Sequence, residues 1–481
     1  MGRFKQVGLV VCGMCLGVLV SLHFAANAAR DTPTSQLPVE EVRQLTEVFN
    51  DIKQYYVEPV DDKKLIDNAI GGMVAGLDPH STYLDEDAFK DLQVSIKGEF
   101  GGLGIEVSME DGLVKVVSPI EDTPAFKAGI KSGDLIFKID DTSVKGLSIS
   151  DAVKLMRGAP KTQVTLNVFR KGESRPLVFK LTREVIKVRS VKSKMIEPGY
   201  GYVRVTQFQE QTTADLAHHL EELSKNGPLK GLVLDLRNNP GGLIDSAVGV
   251  SAAFLPQKSL VVYSEGRTPD TKRRYLAVPD DYARDAGDQL KNLPKVFKNV
   301  PMVVLINGGS ASASEIVAGA LQDYKRAKLL GIRSFGKGSV QSVFQIVPGK
   351  SGIKITIAKY FTPNGRSIQA KGIEPDYLVD ETPNGSSEPF LREADLTHHL
   401  ANPNDQSAPA AAPPVAASEP KAASSKSRNS NADDDAELPR FEIAGKGDYQ
   451  YEQALNLLKG LPVAVRKSPE DSVPKADASA P

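Results

Sequence analysis

Apolar residues at Val42, Leu45, Val48, Phe49 and Ile52 recur at spacings of three and four, which lines them along one stripe of a helix. A second helix is predicted over 62–77, ahead of the turn-rich Asp78-Pro79-His80-Ser81. Between 97 and 185 the period shortens. β-type runs at 105–107, 113–117, 135–139 and 164–169 are separated by turns such as Glu110-Asp111-Gly112 and Lys171-Gly172-Glu173, and one helix is predicted around 150–157. From 199 to 380 strands and helices alternate. The runs 231–236 and 302–306 are almost continuously apolar, as in a sheet covered on both faces. Beyond Glu381, Ala, Pro, Ser, Asn and Asp dominate to about Pro439, a composition that buries too little apolar surface to offset ordering. A short amphipathic helix is predicted at 449–461. No internal repeat is visible. The expectation is an α/β multidomain chain: a helical N-terminal region at 35–96, a β-rich domain with helices at 97–185, an α/β core at 186–380, and a mostly disordered tail at 381–481.

The amino terminus changes the picture of where such a chain works. Arg3 and Lys5 precede an uncharged stretch from Val7 to Ala29 that ends in Ala25-Ala26-Asn27-Ala28-Ala29. A basic start, an apolar middle and a small-residue end read as an export signal over 1–29. The stretch is also close to the length that spans a bilayer, about 20 residues, so cleavage near Ala28 and retention as an anchor both stay open. The expected location is the periplasm, soluble or anchored to the inner membrane. Both cysteines, Cys12 and Cys15, fall inside this run. The region after it has nothing to mispair in an oxidising compartment, and neither a disulfide framework nor a Cys-ligated zinc is available. Lys and Arg number 59 against 60 Asp and Glu, so there is no cationic surplus for a nucleic-acid backbone. The adjacent pairs His218-His219 and His398-His399 lack the spacing that puts two imidazoles on one helix face, which disfavours a metal enzyme.

Three segments carry chemistry. In Asn307-Gly308-Gly309-Ser310-Ala311-Ser312-Ala313-Ser314-Glu315, an apolar strand gives way to a helix. A serine at such a turn sits beside outward-pointing amides that can hold a developing oxyanion. Ser312 and Glu315 also have the form of a capping box, and capping alone accounts for both. In Gly331-Ile332-Arg333-Ser334-Phe335-Gly336-Lys337-Gly338, a P-loop would need Ser or Thr where Gly338 stands, and the segment leads into a strand rather than a helix. Lysine between two glycines fits a tight turn that delivers one amine into a crowded site; an exposed loop lysine is the plain alternative. In Leu234-Asp235-Leu236-Arg237-Asn238-Asn239-Pro240-Gly241-Gly242, a buried strand ends in a tight turn at the carboxyl edge of a sheet, where ligands bind, and Gly241 or Gly242 could offer an amide.

A serine without a convincing histidine base can use a neutral lysine. At pH 7 an ordinary lysine is neutral about once in 2500 molecules, a cost near ~4.6 kcal/mol that a dry pocket can largely remove. With these motifs in this order, and with Asp78-Pro79-His80-Ser81-Thr82-Tyr83-Leu84, Phe100-Gly101-Gly102-Leu103-Gly104-Ile105, Gly133-Asp134-Leu135-Ile136 and Gly336-Lys337-Gly338-Ser339-Val340-Gln341, residues 38–380 resemble the carboxyl-terminal processing proteases, PDZ-containing tail-specific serine proteases of peptidase family S41.

The resemblance implies that Ser312 is the nucleophile, Lys337 the general base 25 residues on (337 − 312), and Gln341 the support for Lys337. It implies oxyanion donors at the turn of Gly241 and Gly242 and at Ala313. It makes 97–185 a PDZ domain and 186–380 an S41 peptidase core. The loop Gly101, Gly102, Leu103, Gly104 and Ile105 is then expected to cup a peptide carboxylate through backbone amides, with the strand that follows pairing to the peptide. The implied activity is serine endopeptidase cleavage of exported proteins chosen by their C-termini, with no cofactor and no metal. Expected partners are protein substrates with free, apolar C-termini and, in some relatives, an adaptor lipoprotein; nucleic acid is not among them, and a homo-oligomer stays open. The alternative is a non-catalytic PDZ-containing peptide- or ligand-binding protein on the same core. Asp323, 11 residues past Ser312 and roughly 16 Å along a helix, is a poor catalytic partner.

Overall fold

The computed structural model describes residues 38–120, 122–283, 287–385, 390–405, 444–445 and 447–466. The expected export signal at 1–29 lies outside the described residues. The chain divides into two compact units, 1–69 and 70–481. In the first, the helix Val39–Tyr55 has Glu40 and Glu41 in its first turn and Lys53 in its last, each placed to oppose the helix dipole. Its apolar stripe is formed as the periodicity predicts, yet no residue of the helix is buried.

The second unit contains the β-rich domain and the α/β core. The domain is an antiparallel sheet in the order Ile105–Glu110, Leu113–Pro119, Leu135–Ile139, Gln163–Phe169, Leu177–Thr182, with Thr142–Ser143 hung on the third strand. Strand alternation supplies its core. Val164, Leu166 and Val168 point inward with Val114, Val116 and Ile136, and the helix Ile149–Met156 covers them with Ala152 and Met156. Ser148 starts that helix by accepting from Asp151 N at 3.2 Å. A two-stranded ribbon, Glu99–Gly102 against Glu184–Lys187, closes the domain's two ends together. Lys154 on the domain's helix and Arg157 just past its end then pair with Asp87 at 2.9 Å and Asp91 at 3.0 Å on the helix Glu86–Lys97.

The core holds a six-stranded sheet in the order Val191–Glu197, Tyr200–Val205, Gly231–Asp235, Met302–Ile306, Lys328–Gly331, Tyr377–Leu378, parallel after its first pair. Every residue of Gly231–Asp235 and Met302–Ile306 is buried. Leu232, Leu234, Val304 and Ile306 face the helices Thr212–Lys225, Ile244–Phe254 and Ala313–Asp323. Val233, Val303 and Leu305 face the other way, onto Tyr451, Ala454 and Leu455.

Those last residues belong to the helix Tyr449–Leu458, which lies in the stretch expected to be mostly disordered. Where a short helix is expected at 449–461 the chain is helical over Tyr449–Leu458, and this helix covers one face of the sheet rather than trailing from it. Asp448 caps it and pairs with Arg237 at 2.7 Å. Residues 390–405 are built in as well: Glu393 is fully buried. Composition concealed 390–405 because its short apolar cluster is diluted by the polar residues around it. The remaining tail residues, 386–389, 406–443, 446 and 467–481, lie outside the described residues.

A second sheet centres on the long strand Ser351–Phe361, which pairs with Thr82–Leu84, with Leu260–Gly266 and, as a hairpin, with Ser339–Val347.

Candidate active site

The strand Met302–Ile306 ends at Asn307, and a stitched turn follows. Ser310 Oγ donates to Leu236 O at 2.8 Å, Ala311 N to Asn239 O at 3.0 Å, and Ser314 Oγ to the same carbonyl at 2.8 Å. The two motif loops are thereby fixed against each other. Ser312 sits at their contact with φ 54° and ψ −113°. That left-handed conformation costs a side-chain-bearing residue roughly 1–3 kcal/mol, so the surroundings must hold it. The neighbouring turn leaves no room for anything larger than glycine. A Cβ on Gly241 would lie 2.8 Å from Ser312 Cβ, and one on Gly242 would lie 2.1 Å from Phe208 O.

Glu315 holds the serine from the other side. Its side chain is fully buried and accepts four hydrogen bonds: Ser312 N at 2.8 Å, Lys337 N at 2.9 Å, Gly336 N at 2.7 Å and Ser334 Oγ at 2.6 Å. Burial pushes its carboxyl up to about 7, against the pull of those four donors. The spacing Ser312-x-x-Glu315 marked this residue as a cap; that it also binds the Lys337 backbone has no signal in the spacing.

Lys337 is half-buried on a turn pressed against Gln369, where a Cβ on Gly338 would come 2.4 Å from Gln369 N. Burial lowers its pKa from the ordinary lysine value and the like charge of Lys354 lowers it further, while Glu393, Asp78 and Glu315 act to raise it. Tyr360, buried with its phenol pushed far up by burial, hydrogen-bonds the Ser312 side chain and donates to Lys337 O. Gln341 lies on the strand Ser339–Val347, where a bulge beside Ile357 shifts the pairing from Val340–Ala358 to Gln341–Thr356. Its amide nitrogen donates to Ser339 Oγ and Thr356 Oγ1, both at 3.0 Å.

Ser312, Lys337, Gln341, Gly242, Tyr360 and Lys354 line one cleft of about 240 Å³. It shares Gly242, Leu243, Ile244 and Gln341 with an adjoining cleft of about 450 Å³ that extends to Arg273 and Tyr275. Ala313 opens the helix Ala313–Asp323, so its amide lacks an intrahelical acceptor. The expectation for Gly241 is corrected: its amide donates to Asn239 Oδ1 at 2.9 Å and is not available to a ligand. Asp323 is occupied elsewhere, accepting from Arg366 and from Asn364 N.

The carboxylate loop is corrected too. Gly101 and Gly102 are ladder residues of the ribbon, paired with Val185 and Glu184, and Gly101 O accepts from Gly158 N at 3.1 Å. Only Leu103, Gly104 and Ile105 remain as the turn into the sheet. Leu103 O and Gly104 O accept from Ala125 N at 3.0 Å and Ile120 N at 2.9 Å, which turns these carbonyls inward. Ile105 opens a strand that, among the described residues, pairs only on its Leu113–Pro119 side.

Comparison with known proteins agrees with this architecture. Residues 199–379 match Peptidase family S41, residues 101–181 match the PDZ domain, and residues 21–88 match the activating protease CtpB N-terminal domain. A carboxy-terminal-processing protease of Bartonella bacilliformis is 45% identical over 76% of this chain and 81% of its own length. The carboxy-terminal processing protease CtpA of Bacillus subtilis is 36% identical over 74% of this chain and 72% of its own. A carboxyl-terminal-processing protease of Synechocystis is 34% identical over 79% and 88%. The chain belongs to the carboxy-terminal processing proteases, PDZ-containing serine-type peptidases of family S41.

Proposed function

We propose that this chain is an endopeptidase with a Ser-Lys dyad, acting on exported proteins. Ser312 attacks the scissile carbonyl. Lys337, as the free amine, takes the hydroxyl proton and returns it to the leaving amine, and water then releases the acyl group by the same route. The amides of Gly242 and Ala313 receive the oxyanion; losing one such donor typically costs about 10²–10³ in turnover. Gln341 orients Lys337. The observation that carries this reading is the single cleft shared by Ser312, Lys337 and Gln341, with the lysine desolvated beside Lys354. Each pKa unit removed from the base recovers about 1.4 kcal/mol of the cost of neutrality.

The PDZ turn Leu103, Gly104 and Ile105 takes a substrate's terminal carboxylate, and the edge strand Ile105–Glu110 pairs with the residues before it. Location outside the inner membrane rests on the basic, apolar and small-residue order of residues 1–29, and fractionation of cells expressing the full chain tests it. The deciding experiment for the chemistry is labelling with a serine-directed covalent probe. Wild type should label and Ser312→Ala should not. An unlabelled wild type would favour the non-catalytic binder.

A further inference from the structure

The Asp78-Pro79-His80-Ser81 turn is far from Lys337 in sequence, yet it reaches the cleft through side chains. Asp78 is almost fully buried. Its Oδ1 accepts from His80 N at 2.9 Å, Ser81 N at 3.0 Å and Thr356 Oγ1 at 3.0 Å, and its Oδ2 from Ser81 Oγ at 2.6 Å. Burial acts to raise its pKa, but the hydrogen bonds outweigh it and hold the carboxyl below its usual range. The turn is pinned in place because Thr82–Leu84 pairs with Gly352–Lys354, two residues short of Thr356, and Thr356 N donates to Ser81 Oγ at 3.1 Å.

Donor counting gives this chain a direction. Asp78 can only accept, so the Thr356 hydroxyl spends its single proton on Asp78. Towards Gln341 that hydroxyl can therefore only accept, and Gln341 must present its NH₂ there, as it does at 3.0 Å. The amide cannot flip without facing one acceptor with another. Its carbonyl oxygen is thereby left free of Thr356, in the cleft that Gln341 and Lys337 both line.

We infer that Asp78 and Thr356 are positioning residues for the base: they fix which end of Gln341 serves Lys337, and Asp78 sets a negative charge facing the amine. The inference rests on the Ser-Lys reading above. The charged groups around Lys337 are Lys354 from the strand Ser351–Phe361, Glu393 (itself paired with His80 at 2.7 Å), Glu315 and Asp78. Among these Asp78 is the one that also controls Gln341.

The two variants have different signatures. Thr356→Val removes the hydroxyl but keeps the charge. It should lower kcat about tenfold to hundredfold with KM unchanged and leave the acid limb of the pH–rate profile where it was. Thr356→Ser should restore the rate. Asp78→Asn should also lower kcat, and it should move the acid limb to lower pH, because an opposite charge that favours the ammonium is gone. The measurement is turnover of an unfolded protein by the full chain across pH, with thermal melts and with Ser312→Ala as control. Should Asp78→Asn not fold, the Thr356→Val and Thr356→Ser pair decides alone. A Thr356→Val enzyme with wild-type kcat overturns the inference, as does equal loss in Val and Ser. Activity surviving in Ser312→Ala would instead overturn the dyad, whatever the Thr356 variants do.

Discussion

The two halves of the cleft are built differently. The proposed nucleophile, Ser312, is held by neighbours: residues 307–315 and the 236–242 turn, two loops that leave adjacent strands of one sheet and bond directly to each other. The proposed base, Lys337, is held by strangers. Its loop is fastened by Gln369, whose Oε1 accepts from Gly338 N at 3.0 Å; Gln369 in turn donates to Glu393 at 2.9 Å, and Glu393 meets His80 across 313 residues of sequence. A nucleophile that must keep a strained backbone benefits from short, rigid connections. A lysine proposed to act as the neutral amine needs its charge environment set, and charge can be brought in from anywhere.

The comparison breaks most visibly if the halves are not one machine. Ser312→Ala and Lys337→Ala should each cut peptide turnover by more than about 10³, and the double variant should be no worse than either, because each loss already removes the whole proton-transfer step. A double variant that multiplies the two losses would mean the halves act separately. Next in size is the support behind the nucleophile. Tyr451→Ala, on the helix Tyr449–Leu458, should cost about 3–5 kcal/mol in chemical unfolding by opening a cavity against Tyr202, whose ring it meets edge-on at 5.5 Å. The variant should keep the acid limb of the remaining activity unmoved, since nothing near Lys337 changes.

Glu315 belongs to both halves, so it sharpens the distinction. Glu315→Gln replaces an acceptor of four hydrogen bonds with one that accepts at a single oxygen. It should destabilise by about 2–4 kcal/mol and lower kcat by about 10², read by melts and by turnover together. Selective loss of rate with an unchanged melt would confine its role to one side. The smallest effect is electrostatic. Lys354→Met removes the like charge that helps lower the pKa of Lys337, so the acid limb of kcat/KM should move to higher pH, opposite in sign to Asp78→Asn. A limb that stays in place would mean that burial alone sets the base.

This asymmetry also explains what the sequence could tell. The strand-to-helix turn, the Pro-Gly-Gly corner and the Gly-Lys-Gly turn are local, and their residue types betray their geometry. Ser312, Lys337 and Gly242 stood in those turns as candidates, Gln341 came only with the family resemblance, and all four line the cleft. Gly241 was overextended because Asn239, two residues away, claims its amide, and side-chain choice of this kind leaves no periodicity. Gly101 and Gly102 look like loop residues until their partner strand, Glu184–Lys187, is known. Thr356 and Glu393 were invisible for the same reason: a hydrogen bond spanning 278 or 313 residues has no spacing to recognise. The apolar runs did call for a cover on both sheet faces. What they could not say is that one cover comes from the tail.

That cover has a consequence for the life of the chain before it is an enzyme. Asp448, at the start of the last helix, is 213 residues past Asp235, its companion on Arg237 (448 − 235). At about 5–20 residues per second, a ribosome delivers the helix roughly 10–40 s after the strand it must cover. Until then the helix residues that cover Val233, Val303 and Leu305 have not been made, so this face of the sheet cannot be completed. Only a chain finished past Leu458 can bury them. A chain that stops short of Asp448 therefore carries Ser312, Lys337 and Gln341 but lacks the helix residues that cover Val233, Val303 and Leu305.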